Sequence, residues 1–256
     1  MLTLLFLLAF VAVLAALLLV PPVAASLQPT LDRSALAIAV DTPPPSCRYA
    51  DEPVDRDSYD DWNATIVDTI FRLSHSYAPP DLVAVSSAGV AVSKSGMTLR
   101  SLVIDDLRAL DQAARAAGYR IVIRSAYRSA AYQRRLYTAA VKADGRTIAR
   151  RYTARPGHSE HQLGTTVDIG TKGGAAPFTL ADWSKTKTGA WVNANAWRYG
   201  FVRSYPKPRA GEGPVNPRTC YASEPWHFRY VGRERAAAVH ASGLTLRAWL
   251  YAHRAE

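Results

Sequence analysis

Two stretches of the 256-residue chain carry side chains that can share one chemical task. The first is Ser159-Glu160-His161-Gln162-Leu163-Gly164-Thr165-Thr166-Val167-Asp168; the second, well downstream, is Glu224-Pro225-Trp226-His227. His161, Asp168 and His227 offer two imidazoles and one carboxylate, a donor set that suits zinc and several other first-row divalent ions. Three protein ligands leave one coordination position for water, the layout of a catalytic rather than a structural site. Glu224 is then a spare carboxylate beside His227, placed to act as general base without being a ligand.

The spacing constrains how these residues are presented. His161 and Asp168 are seven apart, which on one strand puts them on opposite faces. The motif must therefore bend, or begin in a loop before the strand, and Gly164 supplies the flexibility. Pro225, between Glu224 and His227, argues against a helix interior and for a turn or strand end. His158 lies three residues before His161 and competes as a ligand on residue type alone.

A third stretch makes the pattern specific. Ser125-Ala126-Tyr127-Arg128-Ser129-Ala130-Ala131-Tyr132-Gln133 reads Ser-x-Tyr-Arg-Ser-x-x-x-Gln, ahead of Ser-x-His-x-x-Gly-x-x-x-Asp and Glu-x-x-His. In this order the three motifs resemble the VanY-like D-alanyl-D-alanine carboxypeptidases, zinc peptidases that trim bacterial cell-wall peptides. That family shares its fold with hedgehog signalling domains and lysostaphin-type peptidases. The likeness runs over roughly residues 99–250. It implies His161, Asp168 and His227 as zinc ligands and Glu224 as the base. It implies that Arg128, whose planar fork suits a carboxylate or an oxyanion, contacts the scissile carbonyl oxygen or the terminal carboxylate of the substrate. Gln133 and Ser159 match substrate-contacting positions, and His158 becomes a flanking residue that supports a ligand or touches substrate. Trp226 and Tyr230 are expected to pack the site. Thr166 stands where the family commonly has Ala.

The implied activity is hydrolysis of the terminal D-Ala-D-Ala bond of a peptidoglycan stem peptide. Another wall peptidase of the same fold, cutting an L,D or internal bond, is the nearest alternative. A non-catalytic zinc module that binds wall is the alternative from another class, disfavoured because a binder needs neither Glu224 nor Arg128.

The elements that position these residues follow from periodicity and breakers. Residues 62–74 read as a short helix, with Ile66, Ile70 and Leu73 on one side. Residues 83–92 read as a strand or hairpin arm around Gly89. Leu99, Leu102, Val103, Leu107, Leu110 and Ala114 recur at helical spacing up to a cap at Gly118. Residues 119–124 form a β-branched strand that delivers the Arg128 motif at its end, and 130–143 a helix carrying Gln133. Residues 162–169 are the expected central strand. Helices are expected at 190–199 and 233–241, with a short amphipathic end at 244–253. The sum is an α+β fold, one domain with an antiparallel central sheet flanked by helices.

Bulk composition fits an envelope protein. The formal charge is +10, but the basic residues are dispersed and no DNA-reading motif is present, so nucleic acid is the weaker partner and anionic wall polymer suits equally. Residues 2–20 are uncharged and apolar, long enough to span a bilayer (~20 residues). Val23-Ala24-Ala25 provides a small-residue cleavage site. Residues 1–25 are thus a signal peptide or a membrane anchor, 26–61 a Pro-rich linker, and 62–256 the zinc peptidase domain, outside the cytoplasm. Cys47 and Cys220, the only cysteines, are expected to pair in such a compartment.

Overall fold

The computed structural model describes residues 43–254. The expected signal or anchor at 1–25, and the linker as far as residue 42, lie outside these residues. Among the described residues no helix is long and apolar enough to cross a membrane.

A five-stranded sheet carries the site. Its strands are β4 (Ala91–Val92), β6 (Ile121–Ser125), β7 (Thr166–Thr171), β8 (Phe201–Arg203) and β9 (His227–Tyr230), in the spatial order β4-β6-β7-β9-β8. Three of the four pairings are antiparallel, but β4 runs parallel to β6. The sheet is therefore mixed, which corrects the antiparallel expectation. The parallel pair arises because the chain leaves β4, pairs β5 (Thr98–Arg100) with β3 (Leu82–Ala84) instead, and returns through α1 (Ile104–Ala116). A helical crossover of this kind allows two strands to run the same way. A two-stranded parallel pair, β1 (Glu52–Pro53) with β2 (Phe71–Arg72), lies apart.

Side-chain alternation gives the central strands one apolar and one polar face. Val167 and Ile169 of β7, Ile123 of β6 and Phe228 of β9 point into one core, which they share with Leu107 and Leu110 of α1 and Val192 of α4 (Lys187–Asn195). The intervening residues, Asp168, His227 and Arg229, lie on the opposite face. A second core joins α5 (Arg233–Ser242) and α6 (Leu246–Ala252) to Val54, Ile66, Ile70 and Leu73.

Two local expectations fail. Residues 62–74 contain no helix. Ile66, Val67, Ile70, Phe71 and Leu73 are all buried, so the segment is enclosed all round rather than along one stripe. Its backbone is held from outside: Asp68 Oδ1 accepts from the amides of Ile70 and Phe71 at 2.8 and 2.9 Å, and Arg229 Nη2 donates to the carbonyls of Trp62 and Thr65. Residues 83–92 form no hairpin arm either. A 3-10 turn (Val85–Ala88) closed by Gly89 at φ 73° separates β3 from β4, and the two strands join different sheets. The helix through Leu107 and Leu110 starts at Ile104 rather than Leu99, because residues 98–100 pair as β5. Helix α2 (Ala130–Asp144) is followed by α3 (Arg146–Tyr152), which periodicity did not reveal.

Cys47 and Cys220 form a disulfide across 173 positions. Residues 43–61 are thereby fixed to the domain, and Arg155 reinforces the attachment with an ion pair to Asp51 at 2.9 Å.

Candidate active site

His161 sits in a 3-10 turn, Glu160–Leu163, which ends at Gly164 in the left-handed conformation with φ 74°. A Cβ at Gly164 would lie 2.9 Å from Arg100 Cγ, so both the turn and the packing require glycine. The bend returns the chain into β7 and swings His161 onto the face occupied by Asp168. Asp168 and His227 are direct cross-strand partners in the β7–β9 ladder, and such partners share a face. The amide of His227 donates to the Glu224 carbonyl at 3.2 Å, closing the turn that Pro225 opens.

The three side chains meet. His161 Nε2 lies 3.3 Å from Asp168 Oδ1, and His227 Nδ1 lies 3.4 Å from the same oxygen. Zinc–ligand bonds of ~2.0–2.1 Å in tetrahedral geometry put neighbouring donors ~3.3 Å apart. The remaining ring nitrogens are occupied. His161 Nδ1 donates to the Ala126 carbonyl at 2.7 Å, and His227 Nε2 bonds Glu160 Oε2 at 2.9 Å. These bonds orient both rings and leave one lone pair of each directed at the cluster. His161 Nε2, Asp168 Oδ1 and His227 Nδ1 are all buried without a hydrogen-bond partner. Buried polar atoms are rarely left so, and three that converge on one point fit a cation. His, Asp and His suit zinc, and the residues fit the metal.

The electrostatics agree. Burial opposes ionisation of Asp168, but His161 and His227 outweigh it and hold the carboxyl far below the usual range. Burial, helped by Arg128, pushes His161 down to about 4, so the ring is neutral, as a metal ligand must be. For His227 burial favours the neutral ring, yet Asp168, Glu160 and Glu224 overcome it and raise its pKa well above the ordinary value. Three carboxylates around one imidazole create a demand for positive charge.

Glu224 stays beside the cluster, with Oε2 3.4 Å from His227 Nδ1 and the side chain partly exposed. Arg128 Nη1 lies 3.8 Å from Asp168 Oδ2 and donates to Ser125 Oγ at 3.3 Å, while its Nε is buried without a partner. Both residues line a cleft of about 640 Å³ whose wall also includes Gln133, Ser159, Asp168 and His227. Gln133 donates to the Ala154 carbonyl at 2.8 Å and leaves its Oε1 unpaired.

His158 is not at the site. Its ring bonds the Asp68 carbonyl at 2.7 Å and Asp51 at 3.0 Å, so it ties the metal motif to residues 51 and 68 and neither supports a ligand nor faces the cleft. Thr166 is fully buried and donates to the Glu160 carbonyl at 3.1 Å; its hydroxyl clips the 3-10 turn to β7 instead of lining the cleft. Trp226 lines the cleft wall, whereas Tyr230 packs in the core on the other side of the sheet.

Sequence reasoning missed Glu160 and Arg229. Glu160 is buried, holds His227, and pairs with Arg229 at 3.2 Å. Burial would raise its pKa, but His227 and Arg229 bring it to about 2. The only signal was a carboxylate next to a candidate ligand, and nothing in the chain says that it faces the other imidazole.

Known proteins place this geometry. Residues 96–233 match the family model described as VanY, D-alanyl-D-alanine carboxypeptidase. The putative carboxypeptidase YodJ of Bacillus subtilis (strain 168) is 33% identical over 182 residues, 71% of this chain and 64% of that protein, so the chain spans just under two thirds of this relative's length. Among solved structures, that of the LdcB LD-carboxypeptidase superposes with a TM-score of 0.63 at 32% identity, over 72% of this chain and 84% of that one. VanYB in complex with D-alanine-D-alanine gives 0.58 at 28% identity, over 74% and 98%. The matched region contains all three converging ligands and the carboxylate beside them, and on that ground the chain belongs to the VanY family of D-alanyl-D-alanine carboxypeptidases.

Proposed function

We propose that the protein is a zinc-dependent carboxypeptidase that hydrolyses the terminal D-Ala-D-Ala bond of peptidoglycan stem peptides. The observation that carries this reading is the set of three orphaned, buried donor atoms at tetrahedral spacing with an unligated carboxylate beside them. Zinc held by His161, Asp168 and His227 supplies Lewis acidity and lowers the pKa of water towards neutrality. The residues of the chain do the rest. Glu224 accepts the proton of the attacking water and delivers it to the leaving amine. Arg128 presents its guanidinium to the charge that develops on the scissile carbonyl oxygen. Ser159 and the unpaired Oε1 of Gln133 bind the substrate backbone at the buried end of the cleft. Ala126 and Glu160 keep the two imidazoles in the tautomers that the metal requires.

In this reading residues 62–256 are the enzyme, and residues 1–25 bring it to the outer side of the bacterial membrane as a cleaved signal or an anchor. The Cys47–Cys220 disulfide supports an extracytoplasmic location. Kinship with hedgehog domains belongs to the same reading, supported by the mixed sheet and the His-Asp-His cluster.

A second reading is favoured by one observation, the likeness to the LdcB LD-carboxypeptidase. It keeps the same machinery but places an L-centre on the acyl side of the scissile bond. One experiment separates the two. The purified, zinc-loaded protein is given stem pentapeptide and stem tetrapeptide, and released D-alanine is measured. Release from the pentapeptide alone supports the D,D reading, release from the tetrapeptide alone the L,D reading. No release from either, with zinc bound, would refute both.

A further inference from the structure

The catalytic account leaves one feature of the cleft unused. Beyond the metal cluster the wall carries two more cations, Lys94 and Arg124. Neither makes an ion pair among the described residues. Arg124 donates through Nη2 to the carbonyls of Gly174 and Thr171, and its Nε is buried with no partner. Lys94 is exposed, with its Nζ 5.6 Å from the centre of the Tyr132 ring.

The sheet fixes where Arg124 lies. The β6–β7 register shifts between Ile123 and Ser125, so Arg124 is the extra residue of a bulge opposite Asp168. Bulges re-aim side chains beside functional sites. A Cβ at Gly170 would lie 2.9 Å from Arg124 Nε, so the guanidinium stem crosses β7 over Gly170. Gly170 and Asp168 are two apart on one strand and share a face. Arg124 therefore sits ~7 Å along the strand from the metal-binding carboxylate, the length of two strand residues.

The cleft lining is uneven in exposure. Gln133 and Ser159 are only 2% and 3% exposed. Lys94, by contrast, is exposed, and Phe178 stands 63% exposed, edge-on to Trp226. An extended peptide advances ~3.4 Å per residue, so on a substrate laid along β7 the side chain that reaches Arg124 belongs to the residue preceding the penultimate alanine.

We propose that Arg124 and Lys94 form a specificity subsite for a carboxylate on that residue, so that the enzyme selects stems whose third residue is a diamino acid bearing a free side-chain carboxylate, of the meso-diaminopimelate type, over stems with lysine there. The proposal rests on the peptidase reading above. A guanidinium with no acidic partner among the described residues and an exposed ammonium on the same cleft wall suit a carboxylate, and the same two cations repel a lysine side chain.

The test compares three pentapeptides ending in D-Ala-D-Ala, with diaminopimelate, side-chain-amidated diaminopimelate or lysine at position three, on the zinc-loaded full chain. A preference of about tenfold or more in kcat/KM for the free carboxylate, expressed mainly in KM and weakened by salt, is expected. In R124M and K94M that ratio should collapse towards one. K94M alters an exposed side chain and keeps the test valid should R124M fold poorly. Equal kcat/KM for the three peptides in the unaltered protein would overturn the subsite, as would a ratio that survives both substitutions. Failure to release D-alanine from any of them would instead strike at the peptidase reading, so the two outcomes remain distinct.

Discussion

Two buried aspartates, one hundred residues apart in sequence, illustrate opposite uses of the same side chain. Asp68 is fully satisfied. Its Oδ1 accepts from the amides of Ile70 and Phe71, and its Oδ2 from Arg247 Nε at 2.7 Å and Tyr251 Oη at 3.0 Å. Asp168 is also largely buried, yet its Oδ1 has no hydrogen-bond partner, and neither has the imidazole nitrogen on each side of it. A carboxylate whose lone pairs are all engaged holds structure together. One left open among other open donors is held ready for a ligand. The first cluster pins residues 66–73 against α6, and the second leaves three donor atoms converging on one point.

The contrast can be broken from either side. The largest effect is expected at the open cluster. E224Q should retain zinc at one equivalent and lose about 10²- to 10⁴-fold in kcat, the contribution of a general base. Metal analysis beside turnover with stem pentapeptide checks this, and undiminished turnover would sink the proton-shuttle role. At the closed cluster, D68A leaves Arg247 buried and unpaired and should cost about 3–5 kcal/mol of stability. Urea unfolding of the zinc-loaded protein measures that loss, while zinc content per folded molecule should stay unchanged.

Next comes the covalent tie. C47A with C220A should cost about 2–5 kcal/mol, because the bond closes a loop of 173 positions. The same denaturant curves, taken with and without reductant, report it; reductant should move the unaltered protein and leave the double variant where it is. The smallest effect lies between the two clusters, at Glu160. E160Q weakens the hold on His227 Nε2 and should lower zinc affinity about 10- to 100-fold, as loss of an orienting partner does. Competition with a chromogenic chelator reads it directly. The pH arm has a definite sign. The Glu160 carboxyl falls from 4.5 to about 2 on folding, so its contribution to stability is complete above the unfolded value and disappears as pH drops through the folded one. Acid titration should therefore show a loss between about pH 4.5 and 2 that is smaller in E160Q.

The chain declared its chemistry more openly than its path. Catalytic side chains must be particular residue types at fixed short spacings, so His161, Asp168, Glu224 and His227 stood out. The bend at Gly164 followed from a strand's period of two. Residues 62–74 were misread because their apolar residues satisfied helical spacing while tertiary contacts from Asp68 and Arg229 set the backbone. The direction of β4 was invisible for a related reason: two residues of edge pairing carry no local signal. Glu160 looked like any carboxylate until Arg229, from a strand 69 positions away, was seen beside it.

From its sequence alone this protein's candidate metal donors, the carboxylate beside them and its family resemblance could be read, because bond-making chemistry tolerates few substitutes. Only the folded chain determined which nitrogen of each imidazole faces the cation, that His158 belongs to the scaffold, and that Arg124 reaches across Gly170 into the cleft. These depend on register, burial and the partners a side chain finds across long separations, and local order along the chain encodes none of them.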